Sequence, residues 1–202
     1  MITTLCFDLG NVLLFFDHVL IARRLGEAFA VDPERLCRDP RFVSLMVRNE
    51  SGELDGRRLY REIMNAYGKG AQLSFDAFKE AWSDIFTPNT ELIEILPLLA
   101  KRYQLRMLSN TNDLHIDWCM KNYPEVFRHF ERLVFSYEIG SRKPAPEAFR
   151  ALCLGVKPEH CLYVDDILSY VEAAREWGMH AVQYRGMDDL RSAFSSFDID
   201  LE

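Results

Sequence analysis

Four charged residues and one polar pair stand where short apolar runs end. Asp8 follows Leu5–Phe7, Ser109 and Asn110 follow Leu105–Leu108, and Lys143 lies in the loop after Leu133–Phe135. Asp165 and Asp166 follow Cys161–Val164. Each has an ordinary reading when taken alone. An Asp or Ser at a strand end most often caps a helix or makes a turn, and a loop lysine is usually solvated. Each also has a chemical one. A carboxylate is a competent nucleophile at phosphorus and gives an aspartyl-phosphate that water later cleaves. A hydroxyl beside the N–H groups of a helix start can hold a phosphate, and a lysine there neutralises charge on the transferring group. Two adjacent carboxylates facing a third repel, which raises their pKa values or demands a cation. A hard dication with oxygen ligands, most simply Mg²⁺, meets that demand and screens the approach of one anion to another.

These residues share one site only if the elements before them lie side by side. Arg106 apart, the runs are apolar and do not alternate, which predicts strands buried on both faces, hence a parallel sheet. Ala181–Tyr184, broken by Gln183, is a fifth run. Helical patterns separate most of them: Leu92, Ile95, Leu96 and Leu99, then His115–Tyr123, Pro146–Leu154 and Leu168–Trp177. Pro97 is expected to kink the first of these or to mark its first turn. The rhythm indicates an α/β fold, a Rossmann-like doubly wound parallel sheet, whose ligands bind beyond the carboxyl ends of the strands.

One connection is far longer than a crossover helix needs. Between the first two strands, Ile21, Leu25, Ala28 and Phe29 share one helical face, Leu59, Ile63 and Tyr67 a second, and Phe75, Phe78, Trp82 and Ile85 a third. Gly52 and Gly56 are expected to mark a turn. A small helical insertion at 17–85 is therefore expected after the first strand, with residues 1–16 and 86–202 forming the α/β core.

The chain has 202 residues, a formal net charge of −7 and an apolar share of 49%, which suits one soluble domain with an insertion. An acidic chain without a basic cluster is not the make-up of a nucleic-acid binder. Thr3–Phe7 is too short for a signal or membrane segment. The cysteines Cys6, Cys37, Cys119, Cys153 and Cys161 are scattered and lack a CxxC pair, as free thiols in a reducing compartment would be. A cytoplasmic location is expected by default. No phosphate-binding glycine pattern of the GxxxxGK[ST] or GxGxxG kind follows a strand.

Phe7-Asp8-Leu9-Gly10-Asn11-Val12-Leu13, Leu108-Ser109-Asn110, Arg142-Lys143-Pro144 and Val164-Asp165-Asp166 resemble the four motifs of the haloacid dehalogenase-like hydrolases, in their usual order and over the whole chain. The resemblance implies Asp8 as nucleophile and metal ligand, Ser109 and Asn110 at the substrate phosphate, and Lys143 as its stabiliser. It implies a Mg²⁺ cofactor held by Asp8, the Gly10 carbonyl, Asp165 and Asp166, with Asp166 the more direct of the last two. It also places a cap where the insertion falls, with Arg23, Arg48 and Arg57 as candidate substrate contacts. One position departs from the pattern. Most phosphatases of the family carry a second Asp two residues after the nucleophile, and here that residue is Gly10. The Asp8-Leu9-Gly10-Asn11-Val12 and Ser109-Asn110-Thr111-Asn112 segments are similar to a subgroup that includes α-glucose 1-phosphate phosphatases. A substitute acid could come from Asp17 or His18, whereas His115 reads as structural.

The expected activity is Mg²⁺-dependent hydrolysis of a small phosphorylated metabolite, with sugar phosphates leading and neither nucleic acid nor membrane as partner. Two other readings compete. A metal-independent 2-haloacid dehalogenase also lacks the second Asp, but gives Asp165 and Asp166 no purpose. A catalytically retired phospho-ligand binder has no reason to keep Asp8, Lys143 and both late acids.

Overall fold

The computed structural model describes residues 1–200. In chain order it has β1 (Thr4–Phe7), β2 (Leu14–Phe16), α1 (His18–Phe29), α2 (Pro33–Arg38), α3 (Pro40–Glu50), α4 (Gly56–Tyr67) and α5 (Phe75–Ser83). Next come β3 (Phe86–Pro88), α6 (Thr90–Leu99), β4 (Gln104–Ser109), α7 (Asp113–Asn122), α8 (Pro124–Phe127), β5 (Arg132–Phe135), α9 (Ser136–Ile139) and α10 (Pro146–Leu152). The last are β6 (Cys161–Asp165), α11 (Leu168–Glu176), β7 (His180–Gln183) and α12 (Met187–Ser196).

Five strands pair in the order β5-β4-β1-β6-β7, all parallel. β1 lies at the centre, so its side chains are covered on both faces. Leu5 and Phe7 enter one buried cluster with Leu92, Leu96, Leu190 and Phe194 of α6 and α12. Cys6 enters another with Phe149, Leu152, Val171 and Ala174 of α10 and α11. Two cores on opposite faces are the physical meaning of a doubly wound sheet, and they explain why the strands read as largely apolar runs and not as alternating ones. Each fully buried ring such as Phe7 contributes about 1.5–3 kcal/mol relative to an exposed one. Among the described residues no helix is long and apolar enough to cross a membrane, and all five cysteines are free thiols.

Between β1 and β4 the chain makes a two-stranded antiparallel ribbon from β2 and β3, and the five helices α1–α5 lie between its strands. Helix starts follow the local chemistry. Asp17, Asp32, Asp39, Asp55 and Ser74 each turn a side-chain oxygen to an otherwise unpaired backbone N–H in the first turn.

Three details differ from the sequence expectation. Ala28 is exposed, and Ala22 with Gly26 joins Ile21, Leu25 and Phe29 on the buried face of α1. Pro97 lies in the last turn of α6 and not its first, where its missing N–H leaves only the Ile93 carbonyl without a helical donor. Gly56 is not in the turn after Gly52 but is the first residue of α4. A Cβ there would sit 2.4 Å from Leu114 Cδ2, so glycine lets α4 close onto α7.

The α1–α5 segment is fastened to the core by polar contacts. Asp113 accepts from Gly56 N at 2.8 Å and from Asn49 Nδ2 at 3.1 Å. Ser83 Oγ donates to the Leu114 carbonyl at 3.1 Å. Ser136 Oγ meets the Glu50 carbonyl at 2.6 Å and accepts from Thr111 N at 2.9 Å. Arg142 pairs with Glu50 at 2.8 Å.

Candidate active site

The carboxyl ends of β4, β1 and β6 bring Ser109, Asp8 and Asp165 together, and the loop after β5 adds Lys143. Lys143 is the hub and is 3% exposed. Its ammonium lies 2.9 Å from Asp8 Oδ1, 2.7 Å from Asp165 Oδ2 and 3.0 Å from the Tyr163 hydroxyl. An ammonium has three N–H donors, and these three acceptors use them all. Burial opposes the charge, but the two carboxylates outweigh it and hold Lys143 above the ordinary lysine value.

Asp8 is 6% exposed. Its Oδ1 also accepts from Leu9 N at 2.7 Å. Lys143 and that amide pin one oxygen, and Oδ2 forms no hydrogen bond among the described residues. With no cation present, burial pushes the Asp8 carboxyl up to about 7; Lys143 opposes this, and Asp165 and Asp166 add to it. Asp165 is fully engaged. Its Oδ2 takes Lys143 and the short 2.5 Å bond from Tyr163, and its Oδ1 takes Ile167 N at 2.9 Å. Asp166 is half-buried and accepts from Asn11 Nδ2 at 3.2 Å. Burial raises its pKa, the Asn11 bond opposes, and Asp165 adds to the rise.

Asp8, Asp165 and Asp166 offer ligand atoms within 4.8 Å of one another. A set of hard oxygen donors carrying negative charge fits Mg²⁺. Asp165 also serves Lys143, Tyr163 and Ile167, so Asp8 Oδ2 is the least engaged of these carboxylate oxygens.

Gly10 lies in the tight turn closed by Leu13 N and Leu14 N on the Leu9 carbonyl, at 3.0 and 2.8 Å. A Cβ at position 10 would lie 2.6 Å from Phe16 Cε1. The Phe16 ring therefore fills the space a side chain there would take. We expect Gly10→Ala to destabilise the protein by about 1–3 kcal/mol through overpacking. Phe16→Ala in the same chain should remove most of that strain, and thermal denaturation of the single and double variants checks it.

The other residues fall into two groups. Ser109 is buried at the end of β4, and its hydroxyl forms no hydrogen bond among the described residues. Asn110 is committed within the protein. It accepts from Lys143 N at 2.7 Å, and its amide donates to the Lys143 carbonyl at 3.0 Å and to the Tyr170 hydroxyl at 3.3 Å. His115 is buried, with Nδ1 3.1 Å from Asn112 Nδ2 and Nε2 3.2 Å from the Trp82 carbonyl. Burial drives its pKa down to about 3, the charge of His18 adds to this and the Trp82 carbonyl opposes it. Arg48 pairs with Glu53, Arg57 lies over the Phe75 ring, and Arg23 is exposed.

Sequence reading missed Tyr163, Asn11 and Ser136. For Tyr163 a signal existed, because it stands two residues before Asp165 and so on the same side of β6. Its hydroxyl is the one polar group in the Cys161–Val164 run apart from the leading thiol.

A doubly wound sheet whose strand ends gather three carboxylates, two of them on one buried lysine, has the charge pattern of α/β proteins that hold a cation against an anion. Residues 2–178 match the family model for haloacid dehalogenase-like hydrolases, and the chain belongs to that family. It is 25% identical over 199 residues to a D-ribitol-5-phosphate phosphatase of Bacteroides thetaiotaomicron, covering 95% of this chain and 96% of that protein. A family enzyme of the same organism, solved in complex with magnesium and inorganic phosphate, superposes with a TM-score of 0.83 at 27% identity, over 96% of this chain and 100% of that one. The L-2-haloacid dehalogenase of Xanthobacter autotrophicus shares the fold, with a TM-score of 0.64 at 19% identity over 100% of this chain and 85% of that one.

Proposed function

We propose that the protein is a Mg²⁺-dependent phosphatase that hydrolyses a small phosphomonoester, a sugar or polyol phosphate, through an aspartyl-phosphate. The observation that carries this reading is Asp8, with one oxygen pinned by Lys143 and the Leu9 amide and the other free, beside a second carboxylate that needs a cation. The relatives named for D-ribitol 5-phosphate and solved with magnesium and phosphate support it.

Asp8 attacks phosphorus in line, and its bond to phosphorus forms as the bond to the leaving oxygen breaks. Lys143 favours the ionised form of Asp8 against its burial and orients it for that attack. Asn110 holds the Lys143 backbone in place, and Tyr163 and Asp165 hold its ammonium. The free Ser109 hydroxyl binds a phosphoryl oxygen. Mg²⁺, held by Asp8, Asp166 and the Gly10 carbonyl, would neutralise charge on the phosphoryl group. Residues 17–85 form the cap that shapes the leaving-group side of the site and selects the substrate.

The test is phosphate release from D-ribitol 5-phosphate, a panel of sugar phosphates and p-nitrophenyl phosphate, with Mg²⁺ and with EDTA. We expect release with Mg²⁺ that EDTA abolishes and excess Mg²⁺ restores. A folded protein that releases no phosphate from any of them overturns the reading.

A further inference from the structure

An aliphatic alcohol leaves phosphorus poorly as an alkoxide, and a positioned proton donor typically speeds its departure by ~10²–10⁴. Lys143, Asp165 and position 10 cannot supply that proton. All three Lys143 donors are committed, Asp165 takes three bonds, and position 10 has no side chain. Three residues near the base of the α1–α5 segment could in principle carry it. Asp17 spends its carboxylate as the N-cap of α1, accepting from Val19 N at 2.9 Å. His115 has both ring nitrogens engaged. His18 is different. It is exposed, and its ring nitrogens form no hydrogen bond or ion pair among the described residues. Its imidazole packs on the Phe16 ring with centroids 4.5 Å apart. Phe16 in turn fills the space beside Gly10, two residues from Asp8. One aromatic ring therefore separates a free imidazole from the turn that carries the nucleophile.

We propose that His18 is the general acid and base of the reaction, resting on the phosphatase reading given above. As Asp8 attacks and the P–O bond to the alcohol breaks, the imidazolium gives its proton to the departing oxygen. The neutral ring then takes a proton from the water whose oxygen attacks phosphorus of the aspartyl-phosphate. That step returns the Asp8 carboxylate, inorganic phosphate and the imidazolium. Desolvation lowers the His18 pKa and the Asp17 carboxylate opposes this; the negative charge of a bound phosphate acts in the same sense as Asp17 and favours the protonated ring for the first step. Phe16 acts as the positioning residue, because its ring fixes the plane against which the imidazole lies.

The experiment compares His18→Ala with the unaltered protein on an aliphatic phosphate, D-ribitol 5-phosphate, and on p-nitrophenyl phosphate, whose phenolate departs without a proton. We expect kcat/KM to fall about 100-fold on the aliphatic ester and less than tenfold on the aryl ester, with added imidazole restoring part of the aliphatic rate. Thermal denaturation with and without Mg²⁺ checks that the variant is folded. Equal losses on both esters, or no loss on either, in a folded variant overturn the assignment. If the unaltered protein is inert towards every ester, the phosphatase reading falls first and this assignment with it.

Discussion

Asp8→Asn stops turnover, lowering kcat on the order of 10⁴-fold or more, because an amide cannot form the acyl-phosphate that the proposed reaction requires. The substitution keeps the size of a 6% exposed side chain, so the fold survives it. Its effect on stability depends on pH, because the substitution removes a buried carboxyl and also leaves Lys143 with one carboxylate partner in place of two. Without a cation, burial holds the Asp8 carboxyl up at about 7 against an ordinary value of 3.8. A carboxyl with a raised folded-state pKa lends stability that is fully present below the unfolded value and is lost as pH rises through the folded one. In EDTA the unaltered protein should therefore lose stability between about pH 4 and 7 more steeply than Asp8→Asn does. Thermal melts of both across that range, paired with phosphate release, measure the two effects together. A variant that turns over at a tenth of the normal rate rules out Asp8 as the nucleophile.

Lys143→Met has the second-largest expected effect, and it acts on stability and rate at once. The ammonium is buried between Asp8 and Asp165, at 2.9 and 2.7 Å. Removing one partner of a buried ion pair typically costs about 3–5 kcal/mol, because the remaining charges lose their compensation. Turnover should fall on the order of 10²–10³-fold, as when one fixed donor to developing charge is deleted. A cation can partly take over the missing positive charge. Mg²⁺ should therefore raise the Tm of Lys143→Met more than that of the unaltered protein, and calorimetry with and without Mg²⁺ reads this directly. A variant with unchanged Tm and turnover removes Lys143 from the centre of the site.

The sheet and its strand-end residues were legible in the sequence for one physical reason. A strand buried on both faces is mostly apolar until it reaches solvent or a site, so Asp8, Ser109 and Asp165 announce themselves where the runs stop, although Arg106 is buried within β4. Tyr163 escaped because its ring is apolar enough to pass as core, and only the third dimension shows its hydroxyl on Lys143. Ala28 and Ala22 both fit the spacing of one helical face, and the packing of α1 against α2 and α5 decides for Ala22. The strands β2 and β3 are three residues each, too short to carry a period. Gly56 looked like turn punctuation because nothing local shows that Leu114, far along the chain, occupies its side-chain space. Gly10 was legible as a departure, but the ring of Phe16 that fills it was not.

The Ser136 hydroxyl touches the Thr111 amide next to the β4 motif and the Glu50 carbonyl at the end of α3. Glu50 reaches on to Arg142, the neighbour of Lys143. Substitutions at these places share partners, so their free energies should not simply add. Under the proposed function, a change in α3 made to alter which alcohol is accepted is expected also to shift the loop that carries Lys143. Selectivity and rate are then coupled quantities, and varying position 50 is expected to tune both with one residue.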